Sequence, residues 1–186
     1  MEGPSDVIYL RTWLQMYARA AELDQLEQGK HFQFQMYGGA LLDSLCLQTS
    51  EDDPGKERQK LVEMFSFSRN AYVVMDSDAV KSADGTVFDK SNFTAAKQFI
   101  KTQIESLNAQ GYKLGLWFAE GDTTLRTIED YLDDESKAAV SPSLSKRIAA
   151  ERRVASWSGK SLTDFAEVIP EIERLDNRIR SWQPGQ

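Results

Sequence analysis

The sequence predicts an α/β fold with a mainly parallel sheet flanked by helices and a C-terminal helical segment. Helical apolar patterns alternate with strand-like ones along the chain, two continuous apolar runs have the length of buried strands, and the pattern after residue 140 is helical. We therefore expect one domain over residues 1–140 and a helical segment over residues 141–186.

The N-terminal part of the chain begins with a helical pattern. Residues 6–23 carry apolar side chains at helical spacing, and Pro4 with Asp6 suits a helix start. Residues 32–36 alternate apolar and polar side chains and stop at a Gly-Gly pair, which is typical of a short strand ending in a turn. Residues 40–47 are then expected to form a short helix.

The middle of the chain has the pattern of a parallel βαβ unit. Residues 71–75 are a continuous apolar run, as in a central parallel strand. We expect a polar loop over residues 79–92, an amphipathic helix over residues 93–111 that ends at Gly111, and a second buried strand over residues 112–121.

The last part of the chain is expected to be helical. Residues 125–134 predict a short helix, and the helical tail that follows has a kink or break at Pro170. Only three strands are visible, which is few for a parallel sheet, and the chain opens directly at MEGPSD. We therefore expect that a first strand is missing upstream of Glu2.

The amino-acid composition limits which kinds of catalytic or metal site the chain can form. Apolar residues at 41% and charged residues at 27% are typical of a globular protein, and no apolar run or leader pattern predicts a membrane span or secretion, so we expect a cytoplasmic protein. The single Cys46 and single His31 exclude Cys/His zinc sites and the usual histidine triads. The formal charge of −7 argues against a large nonspecific nucleic-acid surface. Catalysis would rest on carboxylates, lysines or hydroxyls.

Two aspartates follow the first buried strand. Asp76 and Asp78 stand two residues apart, at the edge of the sheet where ligands of α/β proteins bind. Such a pair can hold a magnesium ion, because hard cations prefer oxygen ligands. In the competing interpretation, one aspartate caps a turn and the other is solvated.

Two further acidic groups are candidates. Glu2 and Asp6 flank a turn ahead of the first helix, where the alternative is an N-cap aspartate beside a terminal charge. Glu129 lies in an acidic run that would ordinarily be a solvated helix face. Ile128 and Leu132 mark the buried side of this helix, so Glu129 is expected beside it.

The order of these motifs resembles one family. EGPSD leading into IYLRTWL, then FQMYGGALLDSL, RNAYVVMDSD and GDTTLRTIEDYL, resembles the Toprim nuclease domain of OLD-family (overcoming lysogenisation defect) ATP-dependent endonucleases, over roughly residues 1–135. The resemblance implies a Toprim-like fold and a metal-dependent DNA endonuclease that uses Mg²⁺ or Mn²⁺, and phage defence is one setting it suggests. Its implied partners are DNA and an ATPase domain that is absent from this chain.

The resemblance also assigns roles to residues. Asp76 and Asp78 would bind metal, Glu2 would be a ligand or general base, and the remaining acids would be supporting ligands; the implied metal set is Glu2, Asp6, Asp76, Asp78 and Glu129. Lys160 lies after the last motif, where a lysine could approach the scissile phosphate and act in catalysis, and its alternative is a surface lysine in a Gly/Ser loop.

Two other functions fit parts of the sequence. VVMDSDAV also matches the first motif of haloacid-dehalogenase-like phosphatases, with Asp76 as nucleophile and Asp78 as acid, although this leaves EGPSD and YGGALL unexplained. Alternatively, the chain is a truncated or non-catalytic fragment that binds a partner. A truncated sheet would expose an edge, so a homodimer is one expected state.

Overall fold

The structure is a computed structural model of the 186-residue chain. It describes residues 3–35, 70–76, 80–81, 88–89, 95–117, 127–141 and 143–183. The chain divides into two compact units, which we call the helical unit (Met1–Met36 with Thr127–Gln186) and the α/β unit (Tyr37–Arg126). The described residues are mostly helical, with a small parallel sheet, which confirms a mixed α/β class.

The helical unit begins with α1, Pro4–Ala20. Proline suits the first helical turn because its missing N–H has no partner to lose there. The backbone N–H of Gly3 donates to Asp6 Oδ2 at 3.0 Å, so the first turn is also capped. The side chains that α1 buries recur at helical spacing: Tyr9, Leu10, Trp13, Leu14 and Ala18. The helix predicted at the start of the chain is confirmed.

The rest of the helical unit is a series of short helices. They are the 3₁₀ segment η1 (Ile128–Tyr131), α3 (Asp134–Ala138), α4 (Lys146–Ala155), the 3₁₀ segment η2 (Leu162–Val168) and α5 (Ile169–Arg180). Pro170 lies in the first turn of α5, so the break predicted there is a helix start, as proline geometry favours. The sequence pattern predicts this tail as a separate segment, whereas α1 packs against α4, α5 and η2.

An aromatic cluster fills the core of the helical unit. The Trp13 ring stacks on Tyr9 and Trp157, with centroids 5.7 and 5.8 Å apart, and Phe165 lies 4.4 Å from Trp157. Stacked and tilted aromatic pairs add to the stability that their buried area provides. Four rings from three parts of the chain thus join α1 to the C-terminal helices.

The C-terminal end of α5 is tied to the chain that follows α1. Asp176 is fully buried, and its carboxylate accepts from Arg180 Nε at 2.6 Å. Arg180 Nη2 also donates to the carbonyl of Asp24 at 2.7 Å. A buried carboxylate is tolerated only when it is paired, and here the pairing also links the two ends of the unit.

The α/β unit contains a parallel βαβ arrangement. Strand β1 (Tyr72–Val74) pairs in parallel with β4 (Gly115–Trp117), and α2 (Ala95–Ala109) lies between them in sequence. Gly111, at a φ of +90°, follows α2, which confirms the predicted helix end. The buried core of this unit is apolar: Val73, Met75, Ile100, Ile104 and Leu114.

Two contacts fix the entry into β4. Asn108 Nδ2 donates to the carbonyl of Leu114 at 2.9 Å, and the Leu114 N–H donates to Asn108 Oδ1 at 2.8 Å, so one side chain satisfies both backbone groups. Gly115 is required opposite Tyr72, because a Cβ at this position would lie 2.3 Å from the tyrosine ring.

Two sequence expectations differ from the structure. Residues 32–35 form no strand; Gln28 instead bridges to Phe32 through a tight turn, and the Phe32 and Phe34 rings pack edge-to-face at 4.9 Å. The polar segment 79–92 contains an antiparallel pair, β2 (Val80–Lys81) with β3 (Phe88–Asp89). The helix expected over residues 40–47 lies outside the described residues.

No helix within the described ranges is both long and apolar enough to cross a lipid bilayer.

Candidate functional site

Asp76 lies where the sequence places it, beyond the carboxyl end of β1. The Met75 N–H donates to the Trp117 carbonyl at 3.2 Å, so pairing with β4 extends to the residue just before Asp76. Asp76 is half-buried. The carboxyl edge of a parallel pair is a usual position for functional side chains in α/β proteins. Asp78 lies outside the described residues.

Asp6 lies in the first turn of α1 and has a structural role there. Besides accepting from Gly3, its carboxylate accepts from Ser5 Oγ at 3.2 Å, and Ser5 is buried. Asp6 is the third residue of the helix and its side chain reaches back to the N–H of the N-cap residue Gly3, so it is not the N-cap aspartate considered from sequence. A carboxylate has about four acceptor positions, so capping is compatible with metal binding. Glu2 lies outside the described residues.

Glu129 lies on η1, beside its buried face. Ile128 and Leu132 are buried, as the spacing predicts. Glu129, which follows Ile128 in the sequence, is half-buried. The neighbouring Asp130 instead turns back and accepts from the Thr127 N–H at 2.8 Å. Asp130 therefore caps the start of η1, and Glu129 is the acid of this pair that remains a candidate ligand.

Asp6 and Glu129 act on the same tyrosine hydroxyl. Burial raises the pKa of Tyr9 above its usual value, the hydrogen bond and charge of Arg153 oppose this, and the negative charges of Glu129 and Asp6 raise the pKa further. Two acids that are distant in sequence thus both contribute to the electrostatic environment of Tyr9. That Asp6 and Glu129 belong to one metal site stays a prediction from the sequence.

Arg153 is a member of this cluster that the sequence analysis did not identify. Its Nη1 donates to Tyr9 Oη at 3.0 Å, and its Nε donates to the carbonyl of Ser136 at 3.1 Å. In sequence Arg153 belongs to the run ERR, which has the pattern of a solvated helix face. No local signal distinguishes it from Arg152, because its acceptors lie on remote segments.

Lys160 is engaged in ion pairs with two acids that follow η1. Its ammonium group pairs with Asp133 and with Glu135, the latter at 2.6 Å, and its side chain is 15% exposed. Hydrogen bonds to Asp133 and then Glu135 raise the pKa of Lys160. Lys160 is therefore not a freely solvated loop lysine.

The partner carboxylate of Lys160 also caps a helix. Partial burial would raise the pKa of Asp133, but hydrogen bonds from Lys160 and Ser136 outweigh it and hold this pKa below its usual value. The Ser136 N–H donates to Asp133 Oδ1 at 2.8 Å, so Asp133 is the N-cap of α3. The loop that carries Lys160 is thus fastened to the segment after Glu129.

The donor chemistry of the predicted metal set fits a hard divalent cation, since every member is a carboxylate. Asp6 and Glu129 belong to the helical unit, and Asp76 belongs to the α/β unit. Among the residues that the structure describes, no three His, Cys, Asp or Glu side chains come together in a metal-binding group. Glu2 and Asp78, two members of the predicted set, lie outside these residues.

Comparison with protein-family models, curated proteins and solved structures found no match to this chain. Its function is therefore inferred from its own residues.

Proposed function

We propose that this protein is a divalent-metal-dependent DNA endonuclease with a Toprim-like fold. The observation that carries the proposal is that Arg153 links the segment of Asp6 to the segment of Glu129: it donates to the Tyr9 hydroxyl, three residues after Asp6 on α1, and to the Ser136 carbonyl on the helix that follows η1. The resemblance to the OLD-family nucleases implies that these two acids belong to the first and last motifs of one site.

The position of Asp76 supports the same proposal. A D-x-D metal motif requires its aspartates at the carboxyl end of a strand, and Asp76 follows β1, which pairs in parallel with β4. This position alone is equally compatible with a haloacid-dehalogenase-like phosphatase. Asp6 and Glu129 have no role in that alternative, and we therefore favour the nuclease.

The proposed residues would act as follows. Divalent cations, Mg²⁺ or Mn²⁺, would supply an activated water and neutralise charge on the scissile phosphate. Lys160 would contact the phosphate after release from its acidic partners. The carboxylates that would hold the cations are Glu2, Asp6, Asp76, Asp78 and Glu129.

The charge of α4 supports DNA as the substrate. Its ten residues include four basic side chains and one acidic one, whereas the whole chain has a formal charge of −7. Lys146, Arg147 and Arg152 are exposed on this helix. Exposed cations on one short helix can contact successive phosphates without making the whole protein basic. An ATPase domain as partner, a homodimer and a cytoplasmic location belong to the same proposal.

The test is nicking of supercoiled plasmid by the purified chain in Mg²⁺ or Mn²⁺. We expect metal-dependent nicking that is abolished by EDTA and lost in the double variant Asp76→Ala/Asp78→Ala. The matched control is Glu105→Ala/Glu167→Ala, which removes two exposed acids from helical positions and should nick normally. A folded wild-type chain that cuts DNA in neither metal would refute the proposal.

A second assay separates the nuclease from the phosphatase. Asp6→Asn and Glu129→Gln are expected to reduce nicking, and a generic phosphomonoester should not be hydrolysed. Phosphomonoester hydrolysis that requires Asp76 and is insensitive to both of these substitutions would instead establish the phosphatase alternative.

A further inference from the structure

Arg153 connects three segments of the helical unit. It belongs to α4, its Nη1 binds the Tyr9 hydroxyl on α1, and its Nε binds the Ser136 carbonyl on α3. Tyr9 is fully buried and Ser136 is 1% exposed. A guanidinium group donates in fixed directions, so two bonds to buried acceptors set the position of both segments relative to α4.

Each of the two segments carries a proposed metal ligand. Tyr9 lies three residues after Asp6 on α1, which places both side chains on one helix face. Ser136 lies on α3, which follows η1 and Glu129 directly. The hydrogen bonds of Arg153 therefore join the segment of Asp6 to the segment of Glu129.

A second hydrogen bond from the same region holds Ser136. Trp157 follows α4 by two residues, and its Nε1 donates to Ser136 Oγ at 2.7 Å. Its ring also stacks on Tyr9, with centroids 6.0 Å apart. Both oxygens of Ser136 are thus bound by residues one helical turn apart, and Tyr9 contacts the same two residues.

We propose that Arg153 is a positioning residue that holds Asp6 and Glu129 together in the metal site of the proposed nuclease. This inference rests on the proposed function. Arg153 would act through Tyr9 and Ser136 and would not itself touch the metal or the DNA.

Whether the removal of Arg153 weakens or tightens metal binding shows whether Arg153 acts by positioning the carboxylates or only by its charge. A cation near two carboxylates competes with a metal ion for their field, so by charge alone the removal of Arg153 would tighten metal binding. If Arg153 positions the carboxylates, its removal separates them and metal binding weakens. Loss of a residue that orients metal ligands typically weakens metal affinity by about 10–100-fold.

The experiment measures Mn²⁺ affinity of the full chain by the electron paramagnetic resonance signal of free Mn²⁺. For Arg153→Gln we expect binding at least about tenfold weaker than in the wild type. Arg153→Lys keeps the charge but cannot make both directed bonds, so its affinity should also fall. The control Arg174→Gln removes the same charge from an exposed position on α5, paired with Glu171, and should leave affinity unchanged or slightly higher.

A double-mutant cycle keeps the test independent of misfolding. Tyr9→Phe removes only the hydroxyl that accepts from Arg153, and thermal unfolding checks that each variant is folded. We expect Tyr9→Phe to weaken Mn²⁺ binding, and the double variant Tyr9→Phe/Arg153→Gln to be less than additive, because both changes break the same bond.

The outcomes separate the two proposals. Wild-type affinity or tighter binding in Arg153→Gln, or strictly additive effects in the cycle, would overturn the positioning role and leave the nuclease proposal intact. Absence of Mn²⁺ binding that depends on Asp6 and Glu129 in the wild-type chain would overturn the metal site of the proposed function itself, and the positioning role with it.

Discussion

Replacement of Ser136 by alanine should destabilise the helical unit. The substitution removes the Oγ acceptor and leaves the Trp157 Nε1–H, which is buried and donates to this oxygen, without that partner. A buried donor left unpaired costs about 1–3 kcal/mol. Alanine is a better helix former than serine by roughly 0.5 kcal/mol, which offsets part of this. The expected net loss in the free energy of unfolding is about 0.5–2.5 kcal/mol.

The assay is chemical denaturation followed by tryptophan fluorescence, since Trp157 itself reports on the cluster. Ser106→Ala, at an exposed position of α2, is the matched control and should leave the denaturation midpoint unchanged. The double variant Ser136→Ala/Trp157→Phe also lacks the indole N–H that Ser136→Ala leaves unpaired. The alanine substitution should therefore lower the free energy of unfolding less in the Trp157→Phe protein than in the wild type. A Ser136→Ala midpoint equal to that of the wild type would refute the reasoning.

Two further predictions concern the α/β unit and DNA binding. Gly115→Ala should lower the free energy of unfolding by about 1–3 kcal/mol in urea denaturation, because its Cβ would collide with the Tyr72 ring. When Tyr72 is also replaced by leucine, the alanine substitution should destabilise the protein less. An undiminished destabilisation in the double variant would contradict the clash. Substitution of Lys146, Arg147 and Arg152 by glutamine should weaken plasmid binding at low salt. For each side chain that no longer binds a phosphate, the slope of log affinity against log salt should fall in magnitude by about 0.9, and an unchanged slope would exclude α4 from the DNA-binding surface.

Local patterns predicted the elements whose stability depends on their own residues. The burial of α1, the continuous apolar run of β1 and the glycine after α2 are all readable over a few residues. A strand was expected over residues 32–36, but the described residues 32–35 do not form one. Alternating apolar and polar side chains make a strand only when a neighbouring strand supplies hydrogen bonds. Phe32 instead pairs with Gln28 across a turn.

The residues of the candidate site also differ in whether the local sequence identifies them. Asp6, Asp76 and Glu129 were recognisable because their motifs stand at element boundaries that the sequence marks. Arg153 was not, because its hydrogen bonds are to Tyr9 and Ser136, which are remote in sequence and carry no motif of their own. The antiparallel pair β2–β3 was missed for a related reason: two-residue strands are too short for any periodicity to identify.

The order of the two units along the chain has a consequence for folding during synthesis. The helical unit is discontinuous, since α1 precedes the α/β unit in the chain and its packing partners α4, η2 and α5 follow that unit. Until those helices leave the ribosome, Trp13 has neither Trp157 nor Phe165 to pack against. The α/β unit is encoded between them and can complete its own core earlier. The segments that carry Asp6 and Glu129 can therefore pack together only after the whole α/β unit has been synthesised.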